Sequence, residues 1–568
     1  MEGRRSVSAS TLAEAFRITV SEHGDRLALR GEGVELTWAQ LRDRVDAFAG
    51  TLARLGVQRG DTVALMIGNR PEFFIADLAA MTLGATPFSI YLTSSPDQVA
   101  YVIGDAGARV AVVEEPFAPL VAGLVEHVLV AGQWEEEPGF DAEPHWRAVE
   151  PDDVLTLIYT SGTTGPPKGV QILHRNELAA VDAVEQRVGF PDGSRVISWL
   201  PSAHVAERSA HYYLPIVYAM TITCCPDPRR IGEFLPQVRP TWFFAVPRVW
   251  EKLKAGVEAK LADNEQARAL IAAGMRRVEL EQAGEPVPEE LSATLAVAEK
   301  KLFAPLRTAI GLDKAMLVNV GAAPTPYEVL VFFHAIGINL AEIWGMSETC
   351  GAGASNPAER VKIGTVGLPS PGVEVKLAED GELLVRSPVV MLGYRNLPER
   401  TAEALDADGW LHTGDVATID DDGYVTLIDR KKELIISAGG KNMSPANIEA
   451  TLKGASPLIA QACVIGDRRP FNVALFVLDA DYAPAWAARA GVENGDLAAL
   501  ARDERVRAAV QEAVDVANAK LSRPEGVKRF TIIEGDWLPG GDELTPTMKL
   551  RRRPIADKYA DTIEAMYT

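Results

Sequence analysis

Ten consecutive residues, Thr160 to Gly169 (TSGTTGPPKG), set seven Ser, Thr or Gly residues beside a single Lys. Hydroxyls and glycine amides this close together can donate several hydrogen bonds to phosphate oxygens, and Lys168 adds a point charge. A P-loop requires G-x-x-x-x-G-K-[ST] opening a helix. Here Gly169 follows Lys168, and the flanks Val154 to Tyr159 and Val170 to Leu173 read as strands. The loop is therefore a phosphate cradle of another build. A solvated hairpin would explain its Gly and Pro residues, but not the hydroxyl density together with the Lys.

A polyanionic ligand would have to be held against the field of the chain itself. Over 568 residues, 57 Lys and Arg face 78 Asp and Glu, a net charge of −21. That balance argues against nucleic acid as a partner and directs attention to local basic clusters. The two densest are Arg430-Lys431-Lys432, and Lys549 with Arg551-Arg552-Arg553. Four cysteines (Cys224, Cys225, Cys350, Cys463) make no disulfide framework and no zinc spacing. Core-packed thiols are expected, which points to the cytoplasm. No apolar window is long enough for a transmembrane span, and the N-terminus carries no signal-peptide core. Peripheral contact with a membrane surface stays open.

The elements that must position these residues alternate. Thr11 to Val20 and Thr37 to Leu55 read as helices, the second with Thr37 as N-cap. Asp61 to Ile67 reads as a buried strand, Pro71 to Leu83 as a helix and Arg109 to Val113 as a strand. Repeated βα units of this kind predict doubly wound sheets, and the pattern returns from about 151 to 245. Residues 251 to 303 predict a charged, solvated helical hairpin broken near Gly284-Pro286-Pro288. From about 364 to 430 the texture is β, with turns at Glu379-Asp380-Gly381 and Asp421-Asp422-Gly423. After Arg430 a smaller α+β unit follows, with strands around Val464-Ile465 and Val473 to Leu478 and a helix from Leu497 to Ala519. The expected fold class is α/β: a large N-terminal domain over 1–430, including the β-rich part, and a small mobile C-terminal domain over 431–568. Only the charged step Asp429 to Glu433 separates them, which suits a hinge rather than a tether.

Seven stretches, taken in order, resemble the adenylate-forming superfamily of acyl-CoA synthetases, non-ribosomal adenylation domains and luciferases. They read YTSGTTGPPKGV (159–170), LPSAHVAER (200–208), NVGAAP (319–324), IWGMSET (343–349), GWLHTGD (409–415), DRKKELIISAGGKNMSPANIE (429–449) and LTPTMKL (544–550). The resemblance spans essentially the whole chain. The pieces PSAHVAER, PRVWEKL (247–253) and TPTMK look most like long-chain or bubblegum-type fatty acyl-CoA synthetases.

The resemblance implies ligation of a carboxylic acid to CoA through an acyl-adenylate, with ATP, Mg²⁺ and CoA as cofactors. It implies that Thr160, Ser161, Gly162, Thr163, Thr164, Gly165 and Lys168 hold the β- and γ-phosphates. Glu348 would ligate Mg²⁺, which takes one or two carboxylates plus phosphate oxygens. Ser347, beside Met346, matches the family Thr at the α-phosphate. Trp344, where the family commonly has Tyr, would stack on adenine against Gly321, Ala322, Ala323 and Pro324. Asp415 would accept the ribose hydroxyls, and Arg430 would reach the ribose or phosphate. Gly345, following the stacking aromatic, would leave the acyl pocket open to a long chain, and His204 would orient the carboxylate. Lys549 matches the C-terminal catalytic Lys, here without the Gly that often precedes it. Lys432 would be the hinge of a domain rotation that withdraws Lys549 and brings Gly439, Gly440 and Lys441 to the pantetheine channel. Lys441 stands where Arg is commoner.

The expected substrate is a medium or long fatty acid, and the family's frequent dimers make a homodimer an option. Two alternatives stay open from sequence. One is a fatty acyl-AMP ligase that loads a carrier protein. The other, of a different class, is a catalytically dead nucleotide-binding scaffold, although Glu348, Asp415 and Lys549 are all present.

Overall fold

Thr62–Met66 is buried along its whole length, as an apolar strand without alternation requires. It lies between Thr86–Ser89 and Val110–Val113, and the latter pairs with His127–Val130, all in parallel. The helix Pro71–Thr82 crosses over between the first two of these strands, and Trp38–Arg54 begins at a Thr37 capping box. The computed structural model describes residues 8–160, 166–436, 442–492, 495–545 and 548–568.

A second sheet orders Val34–Thr37, Leu27–Gly31, Thr221–Cys224 and Arg195–Ser198. A third runs Trp242–Ala245, Leu317–Val320 and Leu340–Trp344 in parallel, then adds two short antiparallel strands. Mixed, largely parallel sheets flanked by helices match the expected α/β architecture. The β-rich part is an antiparallel sheet of Glu374–Leu377, Glu382–Arg386, Leu411–Ile419 and Val425–Arg430. Beyond it, Ile459–Ile465, Asn472–Leu478 and Val527–Ile532 form a separate sheet with its own buried core.

Two expectations need correction. The segment expected to be a solvated hairpin forms three helices, Pro247–Lys260, Glu265–Gln282 and Glu289–Ala298. Their inner faces are part of the core: Val257, Ile271, Leu295 and Ala298 join one buried cluster with the third sheet. Gly274 shows how close the middle helix comes, since a Cβ there would stand 2.9 Å from the Ala335 carbonyl. The expected single helix over 497–519 is two, Leu497–Arg502 and Glu504–Lys520. Asp503 breaks it because its carboxylate caps the second helix, accepting from the Arg505 amide at 2.8 Å.

All four cysteines are buried and free, as expected. Among the described residues no helix is long and apolar enough to cross a membrane.

Candidate active site

Val154–Thr160 pairs antiparallel with Lys168–Leu173, and the register ends with Thr160 opposite Lys168. Both residues thus stand at the base of the Ser/Thr/Gly hairpin. Ser161, Gly162, Thr163, Thr164 and Gly165 lie outside the described residues, as do Gly439, Gly440 and Lys441. The Lys168 ammonium sits 3.9 Å from the centroid of the Tyr394 ring, whose hydroxyl donates to Glu348 Oε1 at 2.7 Å. Burial lowers the Lys168 pKa, the Glu348 carboxylate opposes that shift, and the Lys432 charge adds to it. Tyr394 had no place in the sequence reading. It arrives on the two-residue strand Gly393–Tyr394, paired with Gln171 and Val170 on the Lys168 strand. No local pattern announces that pairing.

Glu348 lies in the turn Ser347–Thr349, directly after the strand Leu340–Trp344. The Met346 amide donates to Thr349 Oγ1 at 3.1 Å, and the Gly351 amide returns to the Met346 carbonyl at 2.9 Å. Cys350 closes the turn at φ +51°. The Glu348 residue is 7% exposed. Among the described residues no three His, Cys, Asp or Glu side chains converge as a metal cage. A lone carboxylate near the Lys168 ammonium fits Mg²⁺, which takes one or two carboxylates and keeps waters of its own.

Gly345 has a different reason from the one expected. A Cβ built on it would lie 2.0 Å from the Gly351 carbonyl oxygen. Its missing side chain therefore makes room for the turn that carries Glu348, and the space beside it is filled by backbone rather than open to an acyl chain.

Trp344 Nε1–H donates to Asp415 Oδ2 at 2.8 Å and Arg430 Nε contacts Oδ1 at 2.6 Å. Trp344 is thus both an apolar plane and the donor that fixes the Asp415 carboxylate. One face of its ring is covered by Gly353, where a Cβ would come within 2.4 Å of the indole. Burial raises the Asp415 pKa, opposed by Arg430, by the Trp344 hydrogen bond and by Lys549. The facing loop leaves the strand Leu317–Val320 at Gly321, then turns through Ala322 at φ +70°. Left-handed backbone at a non-glycine residue is strained and concentrates at binding sites. Ala322, Ala323 and Pro324 remain exposed there.

His204 caps the short helix Val205–Arg208, its Nδ1 accepting from the Ala206 amide at 3.2 Å. Burial, and secondarily the Lys549 charge, push its pKa down to about 4. The ring is then neutral at pH 7, and with Nδ1 an acceptor its proton rests on Nε2. Lys549 comes from the C-terminal unit. Its charge acts on His204 and Asp415, and its own pKa is lowered by burial and Arg430 against Asp415, Glu348 and Glu433. It is nevertheless solvent-accessible. The fold thus gathers Lys168, His204, Glu348, Asp415, Arg430 and Lys549 around one cleft. Lys432 sits exposed in the turn just outside it, where the Lys431 amide still pairs with the Gly414 carbonyl at 2.8 Å.

The residue before Lys549 explains the missing Gly. Met548 adopts φ +64°, a conformation that is free for Gly and strained for any side chain. Its amide closes a turn onto the Thr545 carbonyl at 2.9 Å. Met548→Gly is expected to stabilise the C-terminal unit by about 0.5–1 kcal/mol, the relief of strain less the added freedom of the unfolded chain. A thermal melt should show the rise, with adenylation retained.

Comparison with known proteins shows the family and the fold. The sequence pattern of AMP-binding enzymes matches residues 16–395, and that of the AMP-binding enzyme C-terminal domain matches residues 432–568. A putative fatty-acid--CoA ligase, fadD11 of Mycobacterium tuberculosis, is 51% identical over 435 residues, covering 75% of this chain and 76% of that protein. The long-chain-fatty-acid--CoA ligase ACSBG2 of Gallus gallus is 31% identical, covering 100% of this chain and 82% of its own. Among solved structures, the A-PCP didomain of a carboxylic acid reductase from Segniliparus rugosus, in complex with AMP, superposes with a TM-score of 0.74. It shares 19% identity and covers 100% of this chain and 84% of that one.

Proposed function

The chain belongs to the AMP-binding enzyme family and activates a fatty acid to its CoA thioester by an AMP-forming ligase reaction, and we propose how its residues divide that work. In the first half-reaction a carboxylate oxygen of the acid attacks the α-phosphorus of ATP and pyrophosphate leaves. Two anions must meet, so the task of the protein is alignment and charge neutralisation. Lys549 bridges the carboxylate and the α-phosphate. His204 Nε2–H donates to the acid, Lys168 holds the departing phosphates, and Glu348 would hold Mg²⁺, which supplies charge neutralisation at those phosphates. Trp344 and Arg430 fix Asp415 for the ribose hydroxyls, with the indole plane available to adenine. In the second half-reaction the CoA sulfur attacks the acyl carbonyl and AMP leaves. Lys549 must first withdraw, by rotation of the unit beyond Lys432.

The reading rests on Lys549 of the C-terminal unit, whose charge acts on His204 and Asp415 and is itself acted on by Glu348. The acid is a medium or long fatty acid in our reading, supported by the similarity to ligases of that kind over most of the chain. Four free, buried thiols support a reducing, cytoplasmic setting.

The test is pyrophosphate release across a panel of straight-chain, aryl and branched acids, with CoA and with a holo-carrier protein as acceptors. Fastest turnover with long straight-chain acids and CoA is expected. Preference for aryl acids, or thioester appearing only on the carrier, would overturn the assignment.

A further inference from the structure

The helix Pro247–Lys260 opens with PRVWEKL, a stretch that the nucleotide and acid sites do not use. Its inner face is anchored by Trp250, fully buried and edge-on to Phe333 at 5.0 Å and to Phe243 at 5.6 Å. Arg248 and Lys252 are one turn apart on the same helix face and reach to the C-terminal unit. Arg248 forms an ion pair with Asp479, and Lys252 contacts Asp481 at 2.7 Å.

The two pairs are unequal. The Lys252 and Asp481 side chains are 53% and 80% exposed, and such surface pairs contribute little. For Arg248 and Asp479 the figures are 26% and 7%, so the charges meet where water competes poorly. Arg248 is also held from its own helix by Glu251 at 2.9 Å, and its charge reaches the exposed Asp536. Asp479 is equally well seated. Its Oδ1 accepts the Tyr482 amide at 2.7 Å and the Asp481 amide at 3.1 Å, which leaves Oδ2 to the Arg248 guanidinium. It directly follows Asn472–Leu478, the central strand of the C-terminal sheet. Arg248 therefore grips the rigid body of the unit that carries Lys549, not a loose loop.

Lesser contacts act in the same sense. Lys520 pairs with Glu328, a Cβ on Gly454 would stand 2.8 Å from Pro326, and one on Gly540 would stand 2.9 Å from Thr93.

We propose that Arg248 is a positioning residue for adenylation: through Asp479 it clamps the C-terminal unit in the orientation that places Lys549 in the cleft, and it must release before transfer to CoA. The proposal rests on the catalytic reading of Lys549. Because the pair exists in this orientation, losing it weakens the first half-reaction and not the second.

The test compares wild type, Arg248→Gln, Asp479→Asn, the double variant and Lys549→Ala. Asp479→Asn keeps the Oδ1 acceptor that caps the next helix while removing the charge. ATP–pyrophosphate exchange with a fatty acid reads the first half-reaction; thioester formation from supplied acyl-adenylate and CoA reads the second. Exchange is expected to fall about tenfold in either single variant, with thioester formation unchanged or faster. The double variant is expected to be no worse than the singles, as for two residues acting through one contact. Equal loss of both half-reactions in Asp479→Asn and Arg248→Gln would overturn the proposal, as would unchanged exchange where Lys549→Ala abolishes it. Survival of exchange in Lys549→Ala would instead overturn the catalytic reading beneath it.

Discussion

Lys549→Ala is expected to slow acyl-adenylate formation about a thousandfold while leaving thioester formation from supplied acyl-adenylate within a few-fold of wild type. The magnitude follows from removing a preorganised charge at a transition state, where such groups contribute roughly two to three orders of magnitude. The asymmetry follows from where Lys549 is attached. It belongs to the C-terminal unit, and in this orientation it shares the cleft with His204, Asp415 and Glu348. A group that must leave before CoA enters cannot assist the second step. Its lowered pKa reflects burial and Arg430, against the pull of three carboxylates, Asp415, Glu348 and Glu433. Removing it also relieves His204, whose pKa should move up toward the ordinary histidine value. Equal loss in both half-reactions would contradict the withdrawal of the C-terminal unit.

Glu348→Gln is expected to reduce adenylation about a hundredfold and to raise the Mg²⁺ concentration needed for half-maximal rate. The substitution keeps the shape of the side chain and an oxygen that can accept from the Tyr394 hydroxyl. What disappears is the charge that a hard cation requires. It also removes the charge that counters desolvation of Lys168, so the Lys168 pKa should fall further. Tyr394→Phe is the matching control: it deletes the hydrogen bond, keeps the ring under the Lys168 ammonium and leaves the carboxylate charged. A Glu348→Gln enzyme with unaltered Mg²⁺ dependence would remove Glu348 from the metal site.

Much of this arrangement was legible in the residues. Buried strands such as Thr62–Met66 show as unbroken apolar runs, and one helix start shows as its cap, at Thr37. The two strands flanking the Ser/Thr/Gly loop were legible, and they pair with Thr160 opposite Lys168. The charged step at 429–433 begins inside the strand Val425–Arg430, whose last two residues pair with Val416 and Asp415.

The parts that stayed hidden depend on partners distant in sequence. The Tyr394 bridge between Lys168 and Glu348 exists only once a two-residue strand pairs with the hairpin. The Trp344 indole could be read as an adenine wall, but its hydrogen bond to Asp415 joins residues 71 positions apart. Gly345 was read as an open pocket, since sequence does not reveal that Gly351 occupies the space beside it. The helices after Pro247 looked solvated because their sequence is charged and Ala-rich; Ile271 and Leu295 nonetheless bind them to the core. Asp503, inside an apparently continuous helical pattern, acts as a cap.

The central claim is that the acid is activated as an adenylate before CoA takes part, and one single-turnover measurement addresses it directly. Enzyme in excess over MgATP is mixed with a long-chain fatty acid in the absence of CoA, quenched, and its products separated. One pyrophosphate and one enzyme-bound acyl-adenylate per ATP are predicted, and later addition of CoA should convert the adenylate to equal amounts of AMP and acyl-CoA. Formation of ADP and phosphate, or no pyrophosphate until CoA is added, would contradict it.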